Sequence, residues 1–417
     1  MEKNGAIMSE PNYSLYLQAN SPLTNAKKIA VVVLDGLGDS ILSLPAIRFL
    51  VKACPQSEIL VIASSLGAPV FDGTAQTIVF NPKEPDFKAK LTTALQNGHF
   101  DAVLCFTEKG YALSAVYQSG IPVRCGFFPG LSQPLKSLAL LWQLNYRVPF
   151  SNNPHVDQKI HQTTRFFLLL EKLGIKIPAE ADFPDLTLEL SPEYLTKGRQ
   201  ALAASLGLTE AELKSHRLCA IQLMPRWHPN ISETTNSDRH SDKKDNAVSG
   251  TVATAKHFSP YWPLLQSAAL LYKKLCQSGY APIFSCAPND RVWVDIFAED
   301  LRRNLREEKE LIAAADGATQ SATEINVPVF SNGDLYIFAA FLKNCRFLVT
   351  PDGGSAHVAA AIKLPEVVFF PANNLKRNLT RWKPWRTTCE VVVKQDKNQD
   401  DETLSQNLYE ACKKICP

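Results

Sequence analysis

Residues 28–63 read KIAVVVLDGLGDSILSLPAIRFLVKACPQSEILVIA, and the fold follows from this stretch. Lys28–Leu34 is a continuous apolar run, the pattern of a strand buried on both faces of a parallel sheet. Asp35-Gly36-Leu37-Gly38-Asp39-Ser40 then turns the chain, and Ile41–Lys52 has helical periodicity. A second apolar run follows at Glu58–Ala63, so strand, helix and strand form one βαβ unit. Shorter runs at Thr77–Phe80 and Ala102–Phe106 continue the alternation. The first half is therefore expected to be an open, doubly wound α/β sheet.

A second α/β pattern begins at Leu218–Met224 and is interrupted by a polar insertion, residues 225–255. Beyond it the sequence predicts a helix over Pro263–Gly279 and a strand over Ala281–Ser285. Further on it predicts a helix over Asp334–Asn344, a strand over Cys345–Thr350, a helix over Ser355–Ile362 and a closing strand over Pro365–Phe370. With 417 residues the chain is too long for one ordinary core. The expected layout is a flexible N-terminal tail (1–25), an N-terminal Rossmann-like domain (26–190), a C-terminal Rossmann-like domain (191–398) carrying the insertion, and a C-terminal helix (399–417). The proline-rich stretch Pro178–Pro192 is the expected linker. Phe127–Phe150, rich in leucine and aromatics, reads either as a core helix or as an exposed apolar lip that meets lipid or an amphiphilic acceptor.

Forty-four Lys and Arg against 41 Asp and Glu leave a formal charge of only +3, which does not support a dedicated nucleic-acid binder. The opening residues lack the pattern of a signal peptide, and no apolar run reaches the roughly 20 residues that span a bilayer. A cytoplasmic protein is expected, with peripheral contact at a membrane surface as a further expectation. The ten cysteines are scattered, several within apolar runs such as Ala102–Phe106, which argues against a disulfide framework. No metal site is expected.

In doubly wound sheets ligands sit beyond the carboxyl ends of the strands, so two loops stand out. In the first, Asp35–Asp39, a carboxylate at the start of a helix is either an N-cap or a general base. The spacing lacks the third glycine of the dinucleotide fingerprint. The second, Thr350-Pro351-Asp352-Gly353-Gly354-Ser355-Ala356-His357, sets an acid, two glycines and a histidine around a helix N-terminus, a location suited to phosphate. The alternative reading is a tight strand-to-helix turn with a capping Asp. Two such loops in successive α/β halves suggest the GT-B architecture, two Rossmann-like doubly wound domains facing a central cleft.

The opening stretch KIAVVVLDGLGDSILSLPAIRFLVKACPQSEILVIA and the later CRFLVTPDGGSAHVAAAIKLPEVVFF together resemble the ADP-heptose:lipopolysaccharide heptosyltransferases, glycosyltransferase family nine. Gly120–Gly126 (GIPVRCG) and the helix HQTTRFFLLLEKLG support the resemblance, which runs in family order from about Lys28 to about Trp385. It implies an inverting, metal-independent transferase without a cofactor, whose donor substrate is ADP-heptose and whose acceptor is a lipopolysaccharide core or lipid A-type molecule at the inner face of the cytoplasmic membrane. It also implies roles for individual residues. Asp39, next to Gly38, would be the general base. Asp352, Gly353, Gly354 and His357 would hold the donor sugar and diphosphate, Lys256 and Thr251 the phosphates, and Asp290 the ribose. Another nucleotide sugar, a protein acceptor, or a non-catalytic nucleotide-sugar-binding module are the alternatives. The chain departs from the family pattern in three places: Asp35 sets a second carboxylate near the base, which would tend to raise its pKa, Met224–Trp227 with the insertion replaces a Gly-Ala-Ser stretch, and Asp290 is one carbon shorter than the usual Glu.

Overall fold

The computed structural model describes residues 16–129, 134–149, 160–223, 262–315, 326–394 and 400–416. The chain forms two compact units: the first runs to Leu186 and is completed by the return segment Lys376–Trp385, while the second comprises Thr187–Leu375 and Arg386–Pro417.

In the first unit, β1 (Lys28–Val33), α1 (Leu37–Ala53), β2 (Glu58–Ser64), β3 (Gln76–Phe80), α2 (Phe87–Asn97), β4 (Ala102–Cys105), α3 (Gly110–Gln118), β5 (Val123–Phe128), α4 (Pro134–Gln143), β6 (Tyr146–Pro149) and α5 (Gln162–Lys172) alternate along the chain. The six strands lie in the order β3-β2-β1-β4-β5-β6, and every pairing is parallel. The order reverses between β1 and β4, with Val32 opposite Cys105. Both strands are almost wholly buried, as their unbroken apolar sequences require. The reversal puts the loops after β1 and β4 side by side, which makes this sheet end the place to look for a site.

The second unit repeats the plan. α6 (Pro192–Leu206) and α7 (Glu210–Leu213) precede β7 (Leu218–Gln222). They are followed by α8 (Trp262–Gln277), β8 (Ala281–Cys286), α9 (Arg291–Ala315), β9 (Val329–Ser331), α10 (Leu335–Leu342), β10 (Leu348–Pro351), α11 (Gly354–Ala361), β11 (Glu366–Pro371), β12 (Cys389–Lys394) and α13 (Asp401–Ile415); between β11 and β12 runs α12 (Leu375–Trp382), which from Lys376 on belongs to the first unit. The sheet order is β12-β11-β10-β7-β8-β9, again parallel throughout and reversing between β10 and β7. α13 buries Leu404, Leu408, Ala411 and Cys412 in this unit's core.

Several expectations change. The tail is ordered from Tyr16 on: Lys176 N donates to Tyr16 O, Gln18 N donates to Gly174 O, and Leu23 and Ala26 are buried, so main-chain pairing and apolar burial hold a stretch expected to be flexible as far as residue 25. The N-terminal unit does not end at the linker either, because Lys376–Trp385 returns to it. The described residues of Phe127–Phe150 form neither a single core helix nor a single lip. They span the end of β5, α4 and β6, with Leu140 and Leu144 in the core and Leu135, Leu138, Leu141 and Trp142 exposed. The insertion at 225–255 lies outside the described residues.

α5 anchors the sheet end of the first unit through Phe166, whose ring stacks on Phe106 with centroids 4.7 Å apart and tilts against Phe127. Phe166→Ala should cost about 3–5 kcal/mol through lost burial and an unfilled cavity, read as a lowered denaturant midpoint. A change under about 1 kcal/mol would show that the site end of the sheet repacks around the loss.

Candidate functional site

The loops after β1 and β4 meet where the strand order of the first unit reverses. α1 starts at Leu37 with Gly36 as its N-cap, and no side chain caps it. Asp39 is thus the third helical residue and not the cap, which removes the capping alternative for this carboxylate. Asp35 is held by Lys109 from the β4 loop, Nζ to Oδ1 at 3.2 Å. Lys109 Nζ also donates to Leu34 O, and Ser64 Oγ donates to the Asp35 carbonyl. Next to Lys109 stands Glu108, whose Oε1 accepts from Arg165 Nη2 at 3.3 Å and from Arg381 Nη2 at 3.4 Å. Both arginines are buried, one on α5 and the other on α12. Arg381 Nε also donates to Gln162 Oε1 at 2.8 Å.

Asp39 retains partial solvent access but is packed by protein on most sides. Desolvation, and after it the negative charge of Asp35, raise its pKa to about 6, with a smaller push from Glu108. Arg381 and a hydrogen bond with the Trp382 side chain oppose the rise. The second carboxylate noted in the sequence therefore acts in the expected direction. An acid that titrates near 6 is largely ionised at neutral pH yet remains a competent proton acceptor.

In the second unit the corresponding loop follows β10, beside the reversal. Thr350 is fully buried, and Asp352 N donates to Phe369 O at 3.1 Å. α11 has Gly353 as N-cap without a side-chain hydrogen bond, so Asp352 does not cap it. Asp352, Gly353 and Gly354 are partly exposed, whereas His357, one turn into α11, is buried. This loop brings four of the expected donor residues together. Asp290 lies apart from them, buried in the short turn after β8, two strands from β10 in the sheet. Lys256 and Thr251 lie outside the described residues. Among the described residues no group of three or more His, Cys, Asp or Glu side chains is arranged to hold a metal ion.

Sequence reasoning missed Glu108, Lys109, Gln162, Arg165, Arg381 and Trp382. The one signal for the last two was the basic and aromatic run RNLTRWKPWR at 377–386, out of keeping with the apolar strands around it.

The raised pKa of Asp39 makes a linkage prediction. Folding favours its neutral form, so its favourable contribution is complete below the unfolded value near 3.9 and is lost as pH rises through the folded value of about 6. Asp39→Asn should therefore be more stable than the wild type by roughly 2 kcal/mol at pH 8, with the advantage disappearing below about pH 4. Denaturant curves across that range test it, and an advantage that does not vary with pH would contradict the desolvated-carboxylate account.

The family model Glycosyltransferase family 9 (heptosyltransferase) matches residues 88–411, a stretch that contains the second loop and begins after Asp39. Among solved structures, a glycosyl transferase family 9 protein from Veillonella parvula is similar at 17% identity and TM-score 0.63, over 93% of this chain and 97% of that one. The E. coli ADP-heptose lps heptosyltransferase II is similar at 17% identity and TM-score 0.62, over 93% and 98%. E. coli heptosyltransferase WaaC, solved with ADP, is similar at 16% identity and TM-score 0.54, over 93% and 99%. No curated protein sequence matches the chain. At these identities the structural likeness establishes the GT-B fold and the family model establishes membership: the chain belongs to glycosyltransferase family 9, the heptosyltransferase family.

Proposed function

We propose that the chain is an inverting, metal-independent glycosyltransferase that moves a heptose from ADP-heptose onto a lipopolysaccharide core or lipid A-type acceptor, with Asp39 as the general base. The observation that carries this reading is Asp39 itself, an uncapping carboxylate at the sheet end where β1 and β4 part, with a pKa of about 6. The ADP-heptose in the name of E. coli heptosyltransferase II and the ADP-2-deoxy-2-fluoro heptose bound to WaaC support the donor.

In the proposed reaction the Asp39 carboxylate takes the proton of an acceptor hydroxyl as that oxygen attacks the anomeric carbon. The bond from that carbon to the diphosphate oxygen breaks, ADP departs with the bonding pair, and the anomeric configuration inverts. On the donor side Asp352 accepts hydrogen bonds from sugar hydroxyls. The main-chain N–H groups at Gly353 and Gly354, at the positive end of α11, face the diphosphate together with His357. Lys256 and Thr251 would add a cation and a hydroxyl for the phosphates, and Asp290 a carboxylate for the ribose.

The test is a transfer assay by product mass, with a panel of ADP, UDP and GDP sugars against lipopolysaccharide core acceptors. ADP-heptose should be the productive donor, and Asp39→Asn should lower turnover by a factor on the order of 10²–10⁴ without weakening donor binding. Turnover that survives Asp39→Asn would overturn the base assignment. Productive use of a different sugar would replace the donor.

We also propose peripheral contact with the inner face of the cytoplasmic membrane, made by α4. Leu135, Leu138 and Trp142 recur at helical spacing on its exposed side, Leu135 with 86% and Trp142 with 73% of its surface accessible. Arg124 and Arg147 stand at its carboxyl end, donating to Gln143 O and Leu141 O. From Lys109 to Val156 the sequence contains no Asp or Glu. An apolar ridge in a stretch free of acids suits an anionic bilayer surface. No described helix is long and apolar enough to cross a membrane. The chain should float with vesicles rich in anionic lipid at low salt and be released by salt, and Leu135→Ser with Trp142→Ser should weaken flotation severalfold. Equal flotation of the double variant would remove α4 from the contact.

A further inference from the structure

The first unit is completed by a segment that arrives from the far end of the sequence, and that segment carries positive charge in excess. Between Val367 and Cys389 the sequence holds Lys376, Arg377, Arg381, Lys383 and Arg386 and no Asp or Glu. Lys376–Trp385 is fastened to the first unit at several points. Arg381 donates from Nε to Gln162 Oε1 at 2.8 Å and from Nη2 to Glu108 Oε1 at 3.4 Å. His161 Nδ1 accepts from Thr163 N, so its Nε2 carries the proton and donates to Lys383 O at 2.9 Å. The His161 ring packs on Trp385 with centroids 4.5 Å apart. These contacts fix where α12 lies and which of its faces turns toward the loop after β4.

Arg377 stands four residues before Arg381, so the two share one face of α12 a turn apart. Both guanidinium groups lie against the Trp382 ring, Arg381 at 4.6 Å and Arg377 at 5.6 Å from its centre. Arg381 is buried and spends its donors on Glu108 and Gln162. Arg377 is only partly buried, yet its Nε is closed off from solvent, and among the described residues its guanidinium makes no hydrogen bond and no ion pair. Closing off an arginine donor without an acceptor costs free energy. A second guanidinium one turn away and the absence of any acid in the segment add to that cost. The indole face attracts the cation but satisfies none of its forked donors. Those donors match the two oxygens of a carboxylate or phosphate, and the partly exposed flank of Arg377 leaves room for one to arrive from solution.

We propose that Arg377, held against Trp382 on the return segment, binds an oxyanion of the acceptor, a phosphate or a carboxylate. The inference rests on the reading of Asp39 as the base and adds a residue that places the molecule Asp39 acts on. Arg381 ties this face of α12 to Glu108, in the loop after β4, and the loop that carries Asp39 follows β1, the neighbouring strand at the reversal of the sheet. An anion gripped one turn from Arg381 therefore belongs to the molecule whose hydroxyl must reach Asp39. A two-point grip by a guanidinium fixes orientation as well as position, and a fixed orientation brings one hydroxyl out of several to the base. Arg377 thereby selects for acceptors that carry the charged group and touches no reacting atom.

The first test is protection of the full chain from phenylglyoxal, which modifies accessible arginines, with the Arg377 peptide followed by mass. A phosphorylated lipid A-type acceptor should slow modification of Arg377 severalfold, and ADP at the same ionic strength should not. The same acceptor stripped of phosphate, and separately with its carboxyl groups esterified, shows which oxyanion is held. In the transfer assay Arg377→Gln should raise acceptor KM roughly tenfold to a hundredfold with donor KM unchanged, and Arg377→Lys, which keeps the charge without the fork, should recover part of the loss. With an acceptor that lacks the charged group, the wild type and Arg377→Gln should perform alike, a result that damage to the fold would not give. Protection by ADP in place of the acceptor, or an equal loss in kcat/KM toward charged and neutral acceptors, would overturn the proposal. Asp39→Asn separates the two readings. Turnover that survives it removes the base, whatever Arg377 does; turnover abolished by it, with Arg377 unprotected and acceptor KM unmoved in Arg377→Gln, removes only the role of Arg377.

Discussion

Charge balance at the β1/β4 reversal is the constraint on which the first unit depends. Asp35, Asp39 and Glu108 converge on one sheet end, and left alone three carboxylates there would repel each other and lose their hydration together. Lys109, Arg165 and Arg381 answer them, and each comes from a different element. Lys109 is local, the neighbour of Glu108 in sequence. Arg165 requires α5 to run along the sheet with Phe166 and Phe167 buried, so the apolar face of that helix serves the polar site by fixing where its arginine points. Arg381 requires the chain to come back from the second unit. The return segment is therefore part of the electrostatic closure of the site as well as a piece of packing.

The distribution of exposure follows from the same arrangement. Buried arginines are tolerated only where their donors are used, and Arg165 and Arg381 spend theirs on Glu108 and Gln162. Asp39 keeps partial access to solvent. The loop after β10 is built differently: Asp352 N donates to Phe369 O, and α11 starts at Gly353 without a side-chain cap.

Both loops were legible in the sequence because each follows a continuous apolar strand and punctuates it with glycine and acid. That pattern survives without any knowledge of tertiary contacts. What it could not give was the company the acids keep. Glu108 and Arg381 are separated by 273 positions, and no periodicity links them. The basic and aromatic run at 377–386 was visible but lacked an assignable partner, because its destination is set by chain topology. The Phe127–Phe150 segment shows the opposite limit: composition marked it as apolar, yet composition is the same for Leu140, which faces the core, and Leu138, which faces out. Only the phase of α4 against β5 and β6 separates them. The flexible tail was misjudged for a related reason, since Tyr16–Ala26 has little pattern of its own and is ordered by main-chain pairing with residues 174–176.

A second buried carboxyl shows why the surroundings of Asp39 matter. Glu366 opens β11 at the other end of its sheet from the Asp352 loop, is completely buried, and neither of its carboxyl oxygens has a hydrogen-bond partner among the described residues. Desolvation alone acts on it and drives its pKa far up, so it persists as a neutral acid. Asp39 is desolvated too and has a repelling neighbour besides, but it keeps partial access to solvent and the Arg381 guanidinium opposes the rise, so its pKa stops near 6. Burial by itself makes a carboxyl inert. A carboxyl that titrates near 6 needs burial and partial compensation together, and here the larger part of the compensation comes from Arg381, on a segment that crosses back to reach it.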